Sequence, residues 1–163
     1  MITFRSEVTV QGITGKELID FMVNCTDADY QEWWPGTHLA FHTIKRYPDQ
    51  IGNLIYFDEY VGKYRLKLHG VVREFIPAQK IVWQMKFGNS LPAWIILECC
   101  DQSDDLYISH IVRAGFRGVG STLDPVLKTY FTPRLFNALD DHAHAEFSML
   151  AKLIEKRRAI AAG

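Results

Sequence analysis

The stretch from Thr132 to about Arg158 constrains the chain more than any other. Thr132 is placed to cap a helix, and Pro133 falls at its first position, where a missing N–H costs nothing. Lys152, Lys156, Arg157 and Arg158 gather at the far end, where cations complement the negative pole of the helix dipole. At about 100° per residue, Leu135, Leu139, Ala143, Phe147, Leu150, Leu153 and Ile154 fall on one face. So long an apolar stripe has to be covered, and the rest of the chain must supply the cover. His142 and Glu146, an i,i+4 pair, stand at the edge of that stripe. Two readings are open for them. One is a flank pair satisfied by each other or by a strand edge. The other is a polar spot in an apolar pocket, able to orient a hydroxyl or carbonyl or to exchange protons. Asp140, Asp141 and His144 point to the outer, solvated side.

The cover is legible upstream. Ile2, Phe4, Val8 and Val10 alternate with polar residues, the period of a half-buried strand that Gly12 ends. Leu18, Ile19, Met22 and Val23 then make a short amphipathic helix, with Thr14 and Glu17 in capping-box positions. Thr26 or Asp27 caps a second short helix through Tyr30, Trp33 and Trp34, which Pro35-Gly36 terminates. Turn signals follow at hairpin spacing and separate six runs of strand character: His38–Tyr47, Leu54–Val61, Tyr64–Ile76, Lys80–Phe87, Trp94–Cys100 and Leu106–Ala114. A two-residue turn at Gly62-Lys63 would pair Val61 with Tyr64 and set Asp58 opposite Lys67, a register the opposite charges favour. Phe57, Glu59, Leu66 and Leu68 then share one face, and Arg65, Lys67, His69 and Arg73 the other, as a solvated basic stripe. The predicted order is one strand, two helices, six strands and a long helix: an α+β fold, with a seven-stranded antiparallel sheet curled around the helix. Residues 1–163 read as a single domain, without repeat or linker.

Composition excludes several classes. A net charge of −1 gives no overall field for nucleic acid, and no stretch approaches the roughly 20 apolar residues of a membrane span. Cys25, Cys99 and Cys100 do not pair off, and the adjacent two point to opposite faces of a strand. With no signal-peptide pattern at the N-terminus, the expected location is cytoplasmic.

The element order, the Trp33-Trp34-Pro35-Gly36 stretch and the Phe131-Thr-Pro-Arg-Leu-Phe run resemble the helix-grip fold of the START-like superfamily, often called SRPBCC. That superfamily includes the birch pollen allergen family, lipid-transfer START domains and the polyketide cyclase/dehydrase group. The resemblance covers the whole chain. It implies a hollow between the sheet and the last helix that takes a small hydrophobic or aromatic molecule. It carries no catalytic signature, so no catalytic residue is assigned. The expected function is binding or carriage of such a molecule; the alternatives are a cyclase/dehydrase-like enzyme in the same hollow and an interaction module without a cavity. No cofactor is expected.

The candidate ligand-binding residues are Trp33, Trp34, Glu98, His110, Leu139, His142 and Glu146. Adjacent tryptophans on a helix point in different directions, so one packs in the core while the second covers something else, near the expected cavity mouth. Glu98 and His110 lie diagonally across a hairpin if Trp94, Ile96 and Cys100 face inward; Ile95 and Leu97 make the other face equally apolar. Glu59 is an inward acid by register, and Glu74 is a further candidate. No metal is expected: His38 and His42 share a strand face roughly 13 Å apart at the usual rise, and no third donor is spaced to join His142 and Glu146. Cys25, near a helix start, is either a thiol of lowered pKa or a small core residue. The loop from Gly115 to Gly120 follows a strand but leads into no βαβ unit, so it reads as a connector.

Overall fold

The computed structural model describes residues 1–87, 89–116, 125 and 132–163, with the side chains of 87 and 89 left out. The elements are β1 (Ile2–Gln11), α1 (Gly15–Asn24), α2 (Asp27–Trp33), β2 (His38–Lys45), β3 (Leu54–Val61), β4 (Tyr64–Ile76), β5 (Lys80–Phe87), β6 (Asn89–Gln102), β7 (Asp105–Ala114) and α3 (Pro133–Ala162). The strands form one antiparallel sheet in the order β1-β7-β6-β5-β4-β3-β2. Its one long-range neighbour pair, β1 with β7, brings the first strand beside the last. The predicted α+β architecture is therefore present. Residues 117–124 and 126–131, which hold Gly118, Gly120 and Phe131, lie outside the described residues.

Local chemistry sets the helix ends. Capping boxes at Thr14 with Glu17 and at Thr26 with Asp29 start α1 and α2. Beyond α2, Gly36 has φ +77°, a left-handed backbone that glycine adopts without steric cost. Thr132 accepts the Leu135 N–H at 3.3 Å and Pro133 opens α3. At 30 residues, α3 runs about 45 Å and ends one turn beyond the basic cluster. Arg157 reaches Asp29 and Glu32 at 2.8 and 2.5 Å, and Arg158 reaches Glu17 at 2.5 Å, so these cations tie α3 to the two short helices.

The β3–β4 register is the one the charges favour, with Val61 opposite Tyr64 and Asp58 opposite Lys67. Phe57, Glu59, Leu66 and Leu68 face the helix, and Arg65 and Lys67 face out. Register shifts interrupt the pairings of β2 with β3, β4 with β5 and β5 with β6, and two of them redirect side chains named above. In β2 the register shifts between His38 and Ala40, so His38 and Phe41 both turn inward, while His42 turns out to Asp27 at 2.8 Å. His38 and His42 therefore do not share a face. In β4 the shift lies between Val72 and Glu74, and Glu74 emerges on the exposed side with Lys80 at 3.0 Å. Glu74 is not an inward acid. Cys25 is buried in the core and its thiol is pushed up by burial, so the core reading holds. Cys99 is buried and Cys100 exposed, on opposite faces of β6.

Candidate functional site

Between the inner face of the sheet and α3 lies a cavity of about 330 Å³. Its walls are mostly apolar: Phe41 and Phe57 from β2 and β3, Leu66 and Leu68 from β4, Trp83 and Met85 from β5, Ile95 and Leu97 from β6, and Leu135, Leu139 and Phe147 from α3. Its titratable lining residues are Tyr30, Glu59, His110, His142 and Glu146. Were it closed and dry, a void of 330 Å³ would cost on the order of 8 kcal/mol at ~24 cal/mol per Å³. That is comparable with the whole stability of a domain, so such a space is opened or filled.

The polar groups concentrate at one place. His142 and Glu146, one turn apart on α3, are each only 7% exposed and line the cavity. Glu59 comes to them from β3, and His38, fully buried behind the wall, comes from the bulged start of β2. The nearest nitrogen–oxygen separations are 3.3 Å for His142–Glu146, 3.6 Å for His38–Glu146, 3.7 Å for His142–Glu59 and 3.8 Å for His38–Glu59. Aromatic rings hold the group from outside. Tyr30 donates its hydroxyl to Glu59 and stacks on His38 at 3.9 Å and 6°. Trp33 donates its indole N–H to the Glu146 carbonyl at 2.6 Å and presents its ring edgewise to His38 at 4.6 Å. Trp34 stacks on His142 at 4.8 Å.

Electrostatics follow from that packing. Burial alone would drive the His142 imidazole down, but the carboxylates of Glu146 and Glu59 outweigh it and hold its pKa at about 10. Burial would likewise raise the Glu146 carboxyl, and the imidazoles of His142 and His38 hold it well below the usual carboxylate range instead. Tyr30 is pushed well above its ordinary value by burial, then by the Glu59 charge. His110, on β7, is pushed down by burial, which Glu146 and Glu59 only partly offset.

The residues expected from the sequence therefore divide. His142, Glu146, Leu139, His110 and Trp33 line the cavity. Trp34 does not; the surface it covers is the ring of His142. Glu98 lies on the opposite face of β6, 3.2 Å from Lys80, because Ala93, Ile95, Leu97 and Cys99 are the residues that pack inward. The outward Ile96 joins Val82, Ile111 and Trp94 in a second apolar cluster. Expectation missed the role of Tyr30 and the inward turn of His38. Only the bulge would have shown the latter.

No family model matches the chain, and neither does any curated protein sequence. Solved structures do. The START-like fold is that of this chain. The di-domain aromatase/cyclase StfQ of the steffimycin biosynthetic pathway matches 97% of the chain with 52% of its own length, at TM-score 0.59 and 13% identity. Ara h 8.0201 matches 92% of the chain with 98% of its own length, at TM-score 0.54 and 13% identity. A START superfamily protein from Mycobacterium smegmatis matches 85% with 96% of its own, at TM-score 0.50 and 15% identity. At such identities the likeness is one of fold. Among the described residues, no helix is long and apolar enough to cross a membrane.

Proposed function

We propose that this START-like protein is a cytoplasmic carrier that binds a small hydrophobic or aromatic molecule between the sheet and α3. The observation that carries the reading is the 330 Å³ cavity with a nearly continuous apolar wall, a volume within the roughly 300–1,000 Å³ typical of small-molecule sites. The polar groups at one end supply orientation: a ligand hydroxyl donates to the Glu59 or Glu146 carboxylate, or a ligand carbonyl accepts from the His142 N–H, while the apolar body lies against Leu68, Met85 and Leu97. Apolar burial would drive the association, at about 25 cal/mol per Å² removed from water.

Turnover of a polyketide-like substrate in the same cavity is the second reading. It is favoured by His110, a half-buried imidazole in the wall whose buried Nδ1 has no hydrogen-bond partner among the described residues. Binding without conversion of a poly-β-ketone mimic would remove it.

The test of binding uses anilinonaphthalene sulfonate as probe. Trp33 and Trp83 both line the cavity, so their emission should be quenched as the probe enters. Leu68→Trp, which places an indole in the cavity, should weaken probe binding at least tenfold. Equal affinity in that variant, with its fold intact, would refute the assignment.

A further inference from the structure

We infer that His38, Glu59, His142 and Glu146 form a binding site for a divalent first-row transition-metal ion, with Zn²⁺ as the representative. This stands whether or not the cavity carries an organic ligand. The first argument is distance. Charge-assisted hydrogen bonds between an imidazole and a carboxylate close to about 2.7–2.9 Å. Here all four nitrogen–oxygen pairs stay at 3.3 to 3.8 Å. Two donors bonded to one ion at about 2.0–2.1 Å in tetrahedral geometry stand roughly 3.3–3.4 Å apart. The observed separations are close to such edges, and one donor atom from each residue lies within 4.8 Å of every other. The four nitrogen–oxygen edges reach that length by contracting up to about half an ångström, and the remaining donor pairs, all within 4.8 Å, by up to about 1.4 Å.

The second argument is the state of the imidazole nitrogens, with His38 Nδ1 adding to the pairs just measured. Both ring nitrogens of fully buried His38, and Nε2 of His142, have no hydrogen-bond partner among the described residues. Buried polar atoms are usually satisfied, and a lone pair on each ring aimed at a shared ion would satisfy one of them.

Charge supplies the third. Two adjacent carboxylates, Glu146 buried and Glu59 half-buried, need about two compensating charges, and a divalent ion with two neutral imidazoles brings the group to zero. Two imidazoles with two carboxylates suit Zn²⁺ or Fe²⁺ rather than Mg²⁺ or Ca²⁺, which take oxygen. The surrounding contacts fix the positions of these side chains. Tyr30 fixes Glu59 and the ring of His38, Trp34 the ring of His142, and Trp33 the backbone at Glu146. Because Glu59, His142 and Glu146 also line the cavity, the ion would sit at its wall.

Spacing in sequence hides this set. Its four residues come from β2, β3 and α3, and only His142 and Glu146 are near one another along the chain.

The test starts from protein dialysed against a chelator and carrying Cys100→Ser, which removes the exposed thiol. Calorimetric titration with Zn²⁺ should show uptake of one equivalent. His38→Ala and Glu146→Gln should each weaken it at least 100-fold, while His144→Ala, on the exposed side of α3, should leave it unchanged. Absence of stoichiometric uptake by the parent protein would overturn the inference, and so would uptake that survives both substitutions; an imidazolium–carboxylate network without an ion gives the first result. Should the variants fail to fold, Co²⁺ added to the parent protein decides. Intense ligand-field absorption of a four- or five-coordinate ion supports the site, and the weak spectrum of hydrated Co²⁺ refutes it.

Discussion

Asp58 and Glu59 stand side by side on β3, and the strand turns one outward and one inward. The outward acid is the better covered, with a side chain 8% exposed against 15% for Glu59. Burial is therefore not what separates them; the partner is. Asp58 meets the Arg65 guanidinium through two bonds of 2.9 Å, with Tyr56 and Lys67 close by. Arginine cannot release its proton, so that pair is closed chemically and serves the sheet. Glu59 meets a tyrosine hydroxyl and two imidazoles that stay beyond hydrogen-bonding distance. Its partners can gain or lose protons, or share an ion, and Tyr30 and His142 among them face the cavity. An acid matched by arginine on a wet face reads as structure, and an acid set among histidines in an apolar wall reads as a site.

The largest effect that would test this contrast lies on the inner side. Trp33 packs on Tyr30, His38 and Phe147 and holds the Glu146 carbonyl. Trp33→Ala should destabilise the protein by about 3–5 kcal/mol, measured as a shift of the urea midpoint. A loss below 1 kcal/mol would mean that the aromatic frame does not hold the polar group.

Next in size is Tyr30→Phe, which deletes one hydroxyl and leaves a half-buried carboxylate oxygen of Glu59 without its donor. The expected cost is about 1–3 kcal/mol. Unchanged stability would show that Glu59 draws its compensation from the imidazoles alone.

How much of this was legible follows from the same strand. The β3–β4 register could be read because a glycine turn fixed the pairing and a charge pair could be checked against it. β2 and β4 could not be read through, because a bulge adds one residue and reverses every direction beyond it; this is why His38 faces in and Glu74 faces out. β6 misled for a different reason. Its outward Trp94 and Ile96 are apolar too and pack with Val82 and Ile111, so alternation offered no contrast between faces. On α3 the periodicity placed His142 and Glu146 at the edge of the stripe, but what covers an edge depends on Trp34 and Glu59, which no helical spacing reports.

Asp58→Asn probes the outer side, with an expected cost of about 1–2 kcal/mol at neutral pH. The Arg65 guanidinium holds the Asp58 carboxyl below its ordinary value. A depressed carboxyl contributes stability above its unfolded pKa, near 3.9, and loses that contribution as pH falls through the folded value. The stability difference between the parent and Asp58→Asn should thus be full above about pH 5 and shrink as the solution is acidified below 4. A difference that persists unchanged to pH 2.5 would assign the effect to packing rather than to charge.

The smallest effect belongs to Glu98, which the sequence offered as a cavity acid and the fold turns outward. Its carboxylate is 41% exposed and shares Lys80 with Glu74. Exposed pairs of this kind contribute about 0–1 kcal/mol, because water screens the attraction and two long side chains lose freedom to hold it. With Glu74 still in place, Glu98→Gln should shift stability by less than about 0.5 kcal/mol and leave the probe titration superimposable on that of the parent. His110→Leu provides the contrast, since position 110 lies opposite Leu97, one residue from Glu98, and faces the cavity. It should change probe affinity while leaving the fold cooperative. If Glu98→Gln altered binding as much as His110→Leu, the face of β6 assigned to the cavity would be the wrong one.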